Sequence, residues 1–200
     1  MFIDISKTHL VRELFMDSHR GKFSHQINFG LTQINDGLIN DDERLTMSVN
    51  FNKGIAACDR GDYATALSLL RPLADQGDVD AQFLLGFMYD DGEGVVQDRK
   101  EAVKWYRLAA AQGNAYAQLH LGLMYDNGRG GVPQDHKEAV KWFWLAAAQG
   151  NPSAQFRLGF MYDSGRGVVK DRKEAVMWYQ LAADGHHPLA QLTLARAGLR

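Results

Sequence analysis

Four kinds of residue in this chain have types and spacings that could do chemistry. Gly-x-Gly pairs stand at Gly92/Gly94, Gly128/Gly130 and Gly165/Gly167, and closely spaced glycines can cradle a phosphate. That chemistry needs a strand before the loop and a longer glycine pattern after it. Here each pair follows a helical pattern and returns with every copy of a longer motif, so the pairs read as turns. Asp98/Glu101, Asp135/Glu138 and Asp171/Glu174 offer carboxylates in twos. Paired carboxylates act as acid and base only when their surroundings push their pKa values apart. Three near-identical copies, each beside Lys and Arg or His, read instead as capping boxes at helix starts. His186-His187 and the scattered His9, His19 and His25 lack Cys or carboxylate partners at zinc-ligand spacing. Cys58 is the single cysteine, which excludes an internal disulfide and a Cys-based zinc site, and it has no nucleophile context. The sequence therefore predicts no catalytic residue, no metal site and no cofactor.

The elements that carry these residues come from a repeat. The stretch from Ala81 to Tyr116 returns from Ala117 and again from Ala154, and a fourth copy starts at Ala190. The four Ala-Gln pairs are 36, 37 and 36 residues apart, with Gly131 accounting for the longer step. A period of this length predicts a solenoid in which each unit buries its apolar face against its neighbours. Within a unit, Ala81, Leu85, Met88 and Tyr89 mark one face of a first helix, and Gly86 leaves room for another helix. Val95 and Val96 are expected to plug the loop onto the core. Ala102, Trp105, Tyr106 and Ala109 mark the second helix, which Gly113 closes. Asn151-Pro152 and His187-Pro188 put proline at the first helical position, where it is tolerated.

Residues 49–77 predict a divergent first helix pair, from Phe51 to Cys58 and from Tyr63 to Gln76, with Pro72 expected to kink or shorten its helix. Full units are predicted over 78–113, 114–150 and 151–185, followed by a helix over 186–200. Residues 1–48 form a leader outside the period, expected to be weakly structured. Leu10, Val11, Leu14 and Phe15 have helical spacing there, Ile27 to Leu38 fits a strand or a helix, and Asn40 to Arg44 reads as a solvated linker.

Composition narrows the function classes. The net charge is -2, and within residues 49–200 Lys plus Arg equals Asp plus Glu, 17 against 17. No basic field is available to hold a nucleic-acid backbone, so Trp105-Tyr106, Trp142-Phe143 and Trp178-Tyr179 read as core rather than as base-stacking platforms. No apolar run is long enough to span a bilayer, and Lys7, His9, Arg12 and Glu13 interrupt any secretory core. The chain as written reads as cytoplasmic, with a periplasmic or secreted location as the alternative.

One set of residues stands apart from these roles. On another face of the first helices lie Phe83 and Phe87, then Leu119 and Leu123, then Phe156 and Phe160. Asp90, Asp126 and Asp163 accompany them, as does the variable trio Leu84, His120 and Arg157. This second ridge either packs against neighbouring first helices or lines an open groove. These twelve residues are the candidate partner-binding site.

Ala81-Gln82, Leu85-Gly86, Tyr89, Gly92-x-Gly94-Val95, Asp98, Ala102, Trp105-Tyr106, Ala109-Ala110 and Gly113 together resemble the Sel-one-like repeat (SLR), a relative of the tetratricopeptide repeat. The resemblance implies an all-α fold, a right-handed α/α superhelical solenoid of tandem helix-turn-helix repeats. It also implies a protein-binding scaffold or adaptor, of the kind used in bacterial signalling, envelope or host-interaction settings and in eukaryotic quality-control complexes. Some cysteine-rich secreted relatives are associated with penicillin-like compounds, but their paired cysteines are absent here. The expectation is a non-enzymatic protein that holds another protein or peptide in the concave groove, with no nucleic acid and no membrane insertion. The alternatives are a cell-envelope or secreted small-molecule binder or hydrolase, and a weak homodimer through the C-terminal helix, where Leu192 and Leu199 are apolar.

Overall fold

A computed structural model of the protein describes residues 40–198, which are all-α. The expectations for Leu10 to Phe15, for Ile27 to Leu38 and for His9, His19 and His25 lie outside those residues. Nine helices follow one another among the described residues: α1 (Asp41–Asp59), α2 (Tyr63–Asp75), α3 (Val79–Asp91), α4 (Arg99–Ala111), α5 (Ala115–Asn127), α6 (His136–Ala148), α7 (Pro152–Ser164), α8 (Arg172–Asp184) and α9 (Pro188–Arg196). No described helix is long and apolar enough to cross a membrane. The described chain falls into two compact units, one reaching Ala81 and the other starting at Gln82.

In the first unit, α1 and α2 form a hairpin around Met47, Phe51, Ile55, Ala66, Leu70 and Leu73, all buried. A Cβ at Gly54 would come within 2.7 Å of Leu70, so this glycine sets how closely the two helices approach. The segment from Asn40 to Arg44 is not a linker. Asn40 accepts from the Glu43 amide at 2.9 Å, and Glu43 accepts from the Asn40 amide at 3.3 Å, a reciprocal cap that starts α1. Acidic residues that look solvated in sequence suit the positive end of a helix dipole. Pro72 does not shorten α2, which has 13 residues like most of the later helices. It is exposed and near the helix end, where losing one backbone donor is cheap.

In the second unit, successive hairpins repeat one plan. Gly86, Gly122 and Gly159 face the rings of Tyr106, Phe143 and Tyr179, and a Cβ would sit 2.6, 2.5 and 2.8 Å from them. The first and second helices of each hairpin therefore close directly on an aromatic ring. Trp105 is buried and Trp142 and Trp178 are half-buried, so these three take part in the packing, whereas Trp144 is exposed.

The loops correct two expectations. Asp98, Asp135 and Asp171 do cap α4, α6 and α8, each accepting from the amides two and three residues on. The box is not reciprocal, however. The amides of Asp98, Asp135 and Asp171 donate to the carbonyls of Tyr89, Tyr125 and Tyr162 at 2.9 to 3.0 Å, closing the loop. Glu101 and Glu138, having no such amide to accept from, turn to Lys104 and Lys141 at 2.6 and 2.7 Å. Only one of the two loop valines plugs the core. Val132 is buried and Val95 and Val168 are half-buried, whereas Val96 and Val169 are 89% and 87% exposed. Adjacent residues in extended backbone point to opposite sides.

Candidate functional site

The ridge changes character along the chain. Phe83, Leu84 and Phe87 on α3 are buried, at 8%, 2% and 9% exposure. On α5, Leu119 is buried while His120 and Leu123 are half-buried. On α7, Phe156, Arg157 and Phe160 are all half-buried, and Asp163 is exposed. The twelve candidates thus do not form one continuous surface. The first copy is core, and only the later copies reach solvent.

His120 explains much of the closure. Its ring stacks on Tyr106 with centroids 5.0 Å apart and lies 5.8 and 6.3 Å from Phe83 and Phe87. A flat, amphipathic ring fills the space between α3 and α4, and ring pairs at these separations are favourable beyond their area. Arg157 holds the equivalent place on α7. No described residue hydrogen-bonds its guanidinium. Burial lowers its pKa, against the pull of Asp126, and Arg166 adds to the depression.

Asp126 forms a clip between copies. Asp126 is buried, and its Oδ1 accepts from His136 at 2.9 Å and from Arg166 at 3.1 Å. His136 opens the second helix of the same copy, while Arg166 comes from the Gly-x-Gly turn of the next copy. The guanidinium of Arg166 also lies 5.8 Å over the Phe160 ring. One copy earlier, Asp90 pairs with Arg99 at 3.3 Å, and Arg129 from the following turn adds its charge. Burial raises the Asp90 pKa and the Asp91 charge adds to this, while Arg99 and Arg129 oppose it. A carboxylate orienting an imidazole can serve catalysis, but no described hydroxyl or thiol is hydrogen-bonded to His136. The nearby Ser164 hydroxyl donates to the Phe160 carbonyl at 2.7 Å. The arrangement is an electrostatic tie.

Position explains why these turns need glycine. A Cβ at Gly130 would fall 2.6 Å from Val103 and 2.8 Å from the Arg99 carbonyl, and one at Gly167 would collide with the His136 carbonyl. Each turn is pressed against the start of the preceding copy's second helix, which is what brings its arginine to the aspartate.

Sequence reasoning missed a second tie. Gln118 and Gln155 are buried. Each donates its side-chain amide back to a carbonyl of the preceding copy, Ala110 or Ala147, at 3.2 Å. Gln118 also accepts from Gln149 at 2.8 Å, as Gln82 does from Gln112 at 2.9 Å. Gln191 repeats the backward bond, to Ala183 at 3.3 Å. The signal was present: a glutamine follows the alanine in all four copies while the next residues vary.

A period of helix-turn-helix pairs, glycines set against aromatic rings and a tie in every copy define a repeat family, and its model matches. The Sel1 repeat model covers residues 48–78, 79–114, 115–151 and 152–187. The chain belongs to the Sel1 repeat family. Among solved structures it is similar to a Sel1 repeat protein from Oxalobacter formigenes, at 43% identity and a TM-score of 0.60, over 65% of this chain and 97% of that one. It is also similar to c5321, described as a protective antigen present in uropathogenic Escherichia coli strains and displaying an SLR fold. That match has 38% identity and a TM-score of 0.69 over 76% of this chain, which spans 34% of the E. coli protein. No curated protein matches the chain.

Proposed function

We propose that this Sel1 repeat protein is a non-enzymatic scaffold that holds a partner polypeptide against the later copies of the first-helix ridge. The observation that carries the proposal is the change along that ridge. Leu123, Phe156 and Phe160 are half-buried, and among them stands Arg157, a guanidinium that donates to no described residue. Apolar anchors beside a planar, unpaired donor fork suit a peptide whose side chains fill the groove and whose carboxylate or carbonyl fixes its register. His120, Asp90 and Asp126 serve this surface from behind, because their ring and ion contacts are made within the protein.

A photoreactive amino acid placed at Phe160 in cells tests the reading, with Val96 as an exposed control site on a loop. Crosslinks to a defined protein at position 160 that disappear in Arg157→Ala support it. Equal crosslinking at both sites, or adducts indifferent to Arg157→Ala, would exclude the ridge as the docking site.

A further inference from the structure

The residue three places before each repeat alanine caps the first helix of its copy. Asp78, Asn114 and Asn151 do so through side-chain oxygens that accept from the amides of Ala81, Ala117 and Ala154 at 2.7, 2.9 and 3.0 Å. At the start of α9 the same position is His187, which accepts from the Ala190 amide through Nδ1 at 3.3 Å. Its ring stacks on Phe156 of α7, with centroids 4.6 Å apart and planes 19° from parallel. Phe156 in turn packs on Tyr179 of α8 at 5.5 Å. The cap and the stack together hold the beginning of α9 in place, while Ala190 and Leu194 bury its inner face.

We propose that His187 is an acid-sensitive latch, which docks α9 while neutral and releases it on protonation. The chemistry follows from what each form of imidazole can do. An Nδ1 that accepts a backbone N–H must be unprotonated, and imidazolium has only donors. Asn114 and Asn151 at the same place cannot titrate, and Asp78 accepts through a carboxylate whose charged form is the accepting one, so a cap lost on imidazole protonation is confined to α9. The charges around the ring also disfavour protonation. Arg157 faces it from α7 as a cation. Tyr179 on α8 is held neutral, its pKa pushed up by burial and by Asp163. Of its chain neighbours, His186 is exposed, with a φ of 62°, and Asp184 is exposed. No described carboxylate pairs with His187. Burial, with Arg157 adding to it, lowers the His187 pKa to about 4.

The sign of the linkage is fixed by that direction. A histidine depressed in the docked state gives full stability above its free value of about 6.5. It loses that stability as pH falls, because the undocked state binds the proton more tightly. The opening constant of α9 therefore grows about tenfold per pH unit from about pH 6 to about pH 4.5. Release uncovers the apolar side of α8 that carries Ala175 and Tyr179, which pack with Leu194.

Nuclear magnetic resonance on the full chain tests the latch. The His187 imidazole should titrate well below the free value. Amide protection factors of residues 192–195, taken relative to those of α5, should fall with the slope given above. In His187→Asn the cap remains and the slope should vanish. An imidazole with an ordinary midpoint, a flat wild-type profile, or a slope retained in His187→Asn would overturn the proposal. Should His187→Asn not fold, Arg157→Met serves instead. It removes the facing cation and must move the imidazole midpoint upward, and an unmoved midpoint also overturns the latch.

Discussion

The first and third copies of the ridge have similar residues in the same places and come to different ends. Phe83, Leu84 and Phe87 are core, whereas Phe156, Arg157 and Phe160 remain half-buried. Two local substitutions account for the contrast. A histidine ring follows the first copy and closes over Phe83, Phe87 and Tyr106. After the third copy the equivalent residue is Thr193, which has no ring to close over Phe156 and Phe160 and whose hydroxyl donates to the Leu189 carbonyl at 2.7 Å. The aspartates show the same asymmetry: Asp90 and Asp126 are tied to arginine or histidine, and Asp163 is exposed. In a tandem array, whether a side chain is core or surface depends on its neighbour at the next copy as much as on its own type.

The contrast can be broken or sharpened by mutation, beginning with the helix pair that should be insensitive to it. Phe143 is fully buried against Gly122, and Phe143→Ala should cost about 4 kcal/mol in urea denaturation. Phe87→Ala and Phe160→Ala remove the same ring from equivalent places. The first should cost about 3 kcal/mol and the second about 1 kcal/mol, in proportion to burial. Equal losses would mean that the later ridge is as closed as the first. Asp126→Asn should cost about 2 kcal/mol, since it weakens two charge-assisted hydrogen bonds, while Asp163→Asn should change stability by less than about 0.5 kcal/mol. Asn151→Ala should match Phe160→Ala, at about 1 kcal/mol for loss of a buried cap. Calorimetry on these last five single variants gives the ranking directly.

The fold was legible because the signals that specify it are local and repeated. Period, caps and glycine spacing placed the helices from Tyr63 onward, and Gly86 announced a close approach before Tyr106 was seen to occupy it. The site was only half legible. One helical face collects Phe83, His120 and Arg157, but the helical wheel does not reveal that His120 turns back onto the preceding copy. Nor could it show that Asp126 is matched by an arginine 40 residues on, because that bond depends on how tightly the turn packs against the previous helix. The capping box failed for a similar reason. Loop closure engages the Asp98 amide with Tyr89, a contact set by the tertiary turn.

The buried glutamines have a consequence for how such a protein changes over time. Gln118 and Gln155 reach back to a carbonyl of the copy before, and Gln82 and Gln118 receive an amide from the end of their own copies. Because the acceptor is always a helix-end alanine, Ala110, Ala147 or Ala183, removing one copy would present the next glutamine with an equivalent carbonyl. Inserting a copy would supply both halves of a new joint. An unequal recombination that adds or deletes one period therefore leaves no buried amide stranded. Repeat number becomes a trait that a genome can alter in a single event, with the fold intact on either side of the join.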